Sequence, residues 1–301
     1  MPATATTVKE PLVIPVSATD GCRFDLLGSE PAAEWRQLIY WIPAMGIPAK
    51  HYLALADALA VHGVAMIVHE WRGIGSSDVR AGRGCNWGYR ELLQDDLAAG
   101  LAVARGRWPQ ANCWIGGHSL GGQLGALFAS LHPDAFAGLL LVASGSPYWR
   151  RFRHGWLIGL AYTLAPLLAD LLGYLPGRRI GFGGNEARGV IRDWARSGRT
   201  GRYAVDGMAE DFERQLAALQ LPVLALRLRD DWFGPAASLD WLLDKLVRAD
   251  RTVELITPAD LGEQPADHFG WMKSPAPIAA HIARWLEARN AVFVAPPGAV
   301  A

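Results

Sequence analysis

The chain has 301 residues, 51% of them hydrophobic and 19% charged, and its 29 basic and 29 acidic side chains leave a formal net charge of zero. That apolar content excludes a disordered chain, and the charge balance argues against nucleic acid or an acidic surface as partner. The length suits one α/β domain carrying an insertion.

Three cysteines, Cys22, Cys85 and Cys113, are odd in number, far apart and unpatterned. They read as inert thiols in a reducing compartment. Met1 to Glu10 lacks the basic region and apolar stretch of a signal peptide. The expected location is cytoplasmic.

Leu12–Val16 and Cys22–Leu27, on either side of the turn signal Asp20-Gly21, predict an opening antiparallel hairpin. Apolar, β-prone runs follow at Leu38–Ile42, Val64–His69, Ala111–Ile115, Leu139–Ala143, Val223–Leu228 and Thr252–Ile256. Between them lie helical patterns at His51–His62, Tyr89–Arg107, Gly122–Leu131, Ala237–Val247 and Ala276–Arg289. This alternation predicts an α/β, doubly wound, mostly parallel sheet with helices on both faces.

Between Ser146 and Gln220 the alternation stops, and no convincing strand is legible. The segment reads as a helical lid inserted over the mouth of the sheet. This divides the chain into a core of residues 1–145 and 221–290, a lid of 146–220 and a loose tail of 291–301. Within the lid, Trp156 to Leu175 is almost wholly apolar and is flanked by Arg150, Arg151, Arg153, Arg178 and Arg179. Its length approaches that of a membrane span. Pro166, Asp170, Gly159 and Gly173 favour instead a pair of lid helices broken at the proline, with contact to a lipid surface as the alternative.

Gly117-His118-Ser119-Leu120-Gly121 joins the strand at Ala111–Ile115 to the helix at Gly122–Leu131. A G-x-S-x-G sequence between strand and helix is a nucleophile elbow, a sharp turn that exposes the serine hydroxyl above the sheet. A serine needs a base to take its proton and an acid to orient that base, and in this arrangement they follow in the order serine, acid, histidine. Leu221 to Leu228 is a buried strand followed by Arg229-Asp230-Asp231-Trp232, and Asp231 is preferred to Asp230 because it lies four residues before Pro235. His268 lies after the last strand and before the final helix. His281 falls within that helix, and the side chain of His118 should diverge from Ser119 on the tight turn.

The oxyanion of an attacked carbonyl needs two N–H donors. One is Leu120; the other falls in Pro43-Ala44-Met45-Gly46, on Met45, with Ala44 the fallback. Trp149, Trp156, Tyr162 and Trp194 are candidate substrate-lining aromatics, with packing on the core as the plain alternative. Arg188, Arg192, Arg196, Arg199 and Arg202 recur at helical steps and read as a solvated face, with recognition of an anionic group as the other possibility. Gly181-Phe182-Gly183-Gly184 lacks the third glycine and βαβ setting of a dinucleotide site. No Walker, zinc-type or EF-hand pattern occurs, so neither cofactor nor metal is expected.

On these residues the chain resembles the α/β-hydrolase superfamily. His69-Glu70-Trp71-Arg72-Gly73-Ile74-Gly75-Ser76-Ser77 is similar to the family's Asp-x-Arg-Gly-x-Gly-x-Ser turn, with Glu70 where aspartate is usual, and Pro43-Ala44 stands where His-Gly is common. Gly173-Tyr174-Leu175-Pro176-Gly177, Trp194 and His268-Phe269-Gly270 resemble a bacterial branch of predicted hydrolases. The resemblance implies the fold and the serine, acid and histidine set of a serine hydrolase but supplies no substrate. The apolar lid points to a hydrophobic ester or thioester, cleaved through an acyl-enzyme on Ser119. An acyltransferase using the same intermediate, and a binding protein without turnover, are the alternatives.

Overall fold

The computed structural model describes residues 10–294. The strands are β1 (Leu12–Ser17), β2 (Arg23–Ser29), β3 (Gln37–Ile42), β4 (Val64–His69), β5 (Asn112–His118), β6 (Leu139–Val142), β7 (Tyr174–Pro176), β8 (Asn185–Ala187), β9 (Pro222–Leu228) and β10 (Asp250–Ile256). The helices are α1 (Leu53–Val61), α2 (Ala98–Arg107, entered through a π-helical turn at Glu91–Leu97), α3 (Leu120–Leu131), α4 (Gly155–Leu172), α5 (Gly177–Ile180), α6 (Arg188–Thr200), α7 (Phe212–Ala218), α8 (Ala236–Leu243) and α9 (Ala276–Val294).

Eight strands form one sheet in the order β1-β2-β4-β3-β5-β6-β9-β10. β1 and β2 pair antiparallel, as does β2 with β4, and every later pairing is parallel. Side chains alternate across it with the period of two that pleating imposes. Leu38, Tyr40 and Ile42 enter one core with α3 and the π-turn, whereas Ile39 and Trp41 enter the other with α1 and α9. Both faces are covered, which is why the central strands are apolar along their whole length.

Five local expectations need correction. β5 runs past Ile115 to His118, because Gly116 and Gly117 carry no side chain to register as apolar yet pair with β3 and β6. α8 ends at Leu243, short of Val247. α9 continues to Val294, so residues 291–294, expected in the tail, are helical; residues 295–301, and residues 1–9 on which the leader expectation rested, lie outside the described residues. The 146–220 segment also holds an antiparallel hairpin, β7 with β8. Strands of three residues are too short for alternation to show in sequence.

The expected break at Pro166 is absent: α4 is one helix of 18 residues. A proline inside a helix leaves the carbonyl four residues earlier without its N–H donor, here that of Tyr162. Arg199 Nη1 on α6 donates to the Tyr162 carbonyl at 2.6 Å and replaces the missing bond.

Two histidines sit at 0% exposure in this core. Burial, with the Arg72 charge adding to it, holds His69 down at about 3, and burial first, then the His268 charge, places His118 well below the ordinary 6.5. Both rings are neutral when folded but take a proton when unfolded below pH 6.5. Their contribution is therefore intact above pH 6.5 and is lost as pH falls toward 3. At pH 5 His69 costs about 2 kcal/mol and His118 acts in the same direction, so urea midpoints should fall between pH 7.5 and pH 5. Equal midpoints at the two pH values would contradict this.

Candidate active site

Parallel pairing places the C-terminal ends of β3, β5, β6, β9 and β10 on one edge. Ile42 lies opposite Gly117, His118 opposite Val142, Val142 opposite Leu226, and Ile256 opposite Leu228. The loops after Ile42, His118, Leu228 and Ile256 leave the sheet together there. They carry Met45, Ser119, Asp231 and His268.

Ser119 occupies φ 55°, ψ −119°, a conformation non-glycine residues rarely adopt. Its N–H donates to the Val142 carbonyl at 3.1 Å, and the Ser144 hydroxyl donates to its carbonyl at 2.6 Å. The glycines around it are required by space. A Cβ on Gly121 would stand 2.0 Å from the Ile42 carbonyl oxygen, and one on Gly117 would stand 2.3 Å from the Gly121 backbone.

The imidazole of His268 lies with Nδ1 2.8 Å from Asp231 Oδ2, both side chains buried. The other carboxylate oxygen, Oδ1, accepts the N–H groups of Phe233 (2.8 Å) and Gly234 (2.9 Å). The two backbone N–H donors and the His268 contact thus hold Asp231 in one orientation. Asp230 points elsewhere: it is exposed and paired with Arg229 at 3.1 Å. With Nδ1 engaged, Nε2 is the ring nitrogen left for chemistry. His268 and Ser119 line the same cavity.

The ring of His118 turns into the protein, with Nδ1 2.9 Å from Tyr52 Oη. It lies 4.9 Å from the His268 ring and 5.2 Å from that of Trp271, backing His268 from behind. His281 is paired with Glu254 away from the site. Tyr52 Oη also accepts the Ala44 N–H at 2.9 Å, which takes that donor out of use. The Met45 N–H has no acceptor among the described residues. Leu120 opens α3, where the first N–H groups have no helical partner. Glu70 is buried and accepts the Ala49 N–H at 2.9 Å, a structural duty.

A cavity of about 300 Å³ opens at this edge, lined by both the sheet loops and the 146–220 segment. Tyr162 and Trp194 line it; Trp149 and Trp156 do not. Trp149 packs beside the first turns of α4, where a Cβ on Gly159 would come within 3.3 Å of its ring, and Trp156 is 64% exposed. The candidate arginines of α6 also stay out of the lining. Arg192 pairs with Asp170, Arg196 lies 3.6 Å from both Asp193 and Asp206, and Arg199 is taken by Tyr162. Among the described residues no Asp, Glu, Lys or Arg lines the cavity.

Sequence reasoning missed Gln123, Phe182 and Phe233 in the lining. Gln123 follows Ser119 by four residues, one helical turn, and that spacing was its available signal. Its Oε1 accepts the Tyr203 hydroxyl at 3.3 Å, while its amide nitrogen has no acceptor among the described residues. Phe182 reaches the cavity on the β7–β8 turn. That turn meets the Met45 loop backbone to backbone: a Cβ on Gly46 would be 2.0 Å from Gly184 N.

A family model described as serine aminopeptidase, S33, matches residues 33–259. Similar solved structures include the protein Est1E from Butyrivibrio proteoclasticus, at 15% identity and a TM-score of 0.60, covering 93% of this chain and 99% of that one. A hydrolase from Pseudomonas aeruginosa PA01 has 18% identity and a TM-score of 0.58 over 91% of this chain and 98% of its own. A thermophilic esterase from Thermogutta terrifontis has the same identity and TM-score over 93% and 99%. At these identities the likeness is one of fold. No curated protein matches the chain in sequence.

The elbow geometry makes a direct prediction about two glycines of one helix. Gly121→Ala should lower stability by at least about 2 kcal/mol, since backbone must move. Gly125→Ala, whose Cβ would find its nearest neighbour at 3.5 Å, should stay within about 1 kcal/mol of wild type. Thermal melts of the two variants decide it, and similar losses in both would count against the packing argument.

Proposed function

The chain belongs to the serine aminopeptidase S33 family of α/β-hydrolases, and on that premise we propose that it is a serine hydrolase of uncharged carboxylic esters or thioesters. The observation that carries this reading is the 2.8 Å contact of His268 with Asp231, at the cavity where Ser119 stands on its strained turn.

Ser119 Oγ attacks the carbonyl carbon, and His268 Nε2 takes its proton. Asp231 holds Nδ1–H and stabilises the imidazolium that forms. The N–H groups of Leu120 and Met45 receive the oxyanion; the occupied N–H of Ala44 favours Met45 over its neighbour. Collapse breaks the bond to the leaving alcohol or thiol, which takes the proton from His268. A water molecule, deprotonated by the same nitrogen, then attacks the acyl carbon and frees Ser119.

The lining supports the substrate class. An aminopeptidase needs a carboxylate for the substrate's α-ammonium group, and no acidic side chain lines this cavity. Its walls are apolar or aromatic, with the Gln123 amide as a neutral polar point, and a small dry site strengthens the charge interactions above. Its volume sits at the lower end of small-molecule sites, which suits short to medium acyl chains.

A fluorophosphonate probe should label wild type and leave Ser119→Ala unlabelled. With p-nitrophenyl esters, Asp231→Asn should lower kcat by about four orders of magnitude, whereas Asp230→Asn should change it less than about twofold. Labelling of Ser119→Ala equal to wild type, or a fully active Asp231→Asn, would refute the assignment. Release of free acid in the presence of added alcohols distinguishes hydrolysis from acyl transfer. Gln123→Leu should leave simple alkanoyl esters unaffected and raise KM for esters whose acyl chain bears a hydroxyl or keto oxygen. An equal effect on both series would remove Gln123 from substrate recognition.

A further inference from the structure

α4 presents an apolar surface that nothing among the described residues covers. Trp156, Leu160, Leu164, Leu167 and Leu171 follow one another at steps of four, four, three and four residues, so they form a single stripe. They are 64%, 50%, 52%, 61% and 68% exposed. The helix has a mean hydropathy of 1.5, yet only 11% of it is buried. Soluble monomers rarely leave so continuous a patch in water unless it meets a partner.

The charges around the stripe indicate what that partner is. Between Trp149 and Ile180 the sequence holds five arginines and one acid, Asp170. Asp170 is already paired with Arg192 at 2.7 Å. Arg151 and Arg153 are exposed just before the helix, and Arg178 and Arg179 just after it, beside the 57% exposed Ile180. Both ends of the stripe are therefore basic. Two copies of the chain pairing along this helix, in either direction, would set arginine against arginine. A membrane-spanning pose fails for another reason: the opposite face of α4 is committed to the protein through Tyr162, Ala169 and the Arg199 bond.

We propose that α4 lies flat on an anionic lipid surface, its leucines among the acyl chains and its flanking arginines at the headgroups. Ile158, Ala161 and Tyr162 on the same helix line the cavity, so docking sets the site's wall against the lipid. That an apolar ester reaches Ser119 from the bilayer rests on the hydrolase reading above; the binding itself does not.

Flotation with phosphatidylcholine vesicles containing roughly one-third phosphatidylserine tests it. Wild type should float with these vesicles, and about ten-fold less with phosphatidylcholine alone or in high salt. The variant Leu164→Gln/Leu167→Gln/Leu171→Gln should lose flotation while hydrolysing p-nitrophenyl acetate as wild type does. A second variant, Arg153→Gln/Arg178→Gln/Arg179→Gln, should keep weak binding that no longer depends on phosphatidylserine. Wild type that stays at the bottom of the gradient, or a leucine variant that floats unchanged, overturns the proposal. So does a dimer in sedimentation velocity that the leucine variant abolishes. Activity on the soluble ester is read separately, so loss of hydrolysis alone would fault the catalytic assignment and leave the docking result standing.

Discussion

Backbone hydrogen bonds hold Ile42 opposite Gly117, His118 opposite Val142 and Leu228 opposite Ile256, and the position of every candidate site residue follows from that register. A parallel strand delivers its following loop at the same edge as its neighbours'. Residues 45, 119, 231 and 268 are far apart in sequence but emerge within one small region. A slip of one residue in β5 would turn each of its side chains to the other face and carry Ser119 away from the loop of His268. The glycines at 116, 117 and 121 protect this register, since each allows an approach that a side chain would block.

Around that edge the protein holds its polar groups without solvent. Tyr52 links the loop of Ala44 to His118, and His118 in turn stacks behind His268. Nearby, Arg72 bridges the buried Asp96 and the more exposed Asp20, fixing the turn after β4. Burial lifts Asp96 to about 6 despite its guanidinium partner, the Arg72 bonds opposing the shift. Desolvation outweighs pairing there, as can happen when a charged pair leaves water. Such contacts make the surroundings of the site rigid, which catalysis by positioned groups demands.

The segment between β6 and β9 is built on different terms. Its tertiary contacts substitute for ordinary helical rules: Arg199 fills the gap that Pro166 opens, and Arg192 neutralises Asp170. Trp194 packs edge-on against Tyr162 and tilted against Phe182, with ring centroids 4.6 and 5.2 Å away, and the three line the cavity. The inner side is thus well packed, while no described residue covers the apolar outer side of α4. That asymmetry links the wall of the site to whatever meets the surface of the molecule.

The amino-acid sequence alone determined the α/β alternation, the glycine-flanked turn at Ser119 and the chain order of the candidate serine, acid and histidine, because apolar period and glycine spacing are local properties. It did not determine which of two adjacent aspartates reaches His268. That depends on the turn after β9, where the Phe233 and Gly234 N–H groups capture Asp231 and leave Asp230 to solvent and Arg229. Nor did it separate Tyr162 and Trp194, which line the cavity, from Trp149 and Trp156, which do not. An aromatic side chain reads the same in sequence whichever way its helix faces, and only packing against distant residues sets that face. The same holds for Pro166, whose helix survives through an arginine 33 residues further along the chain.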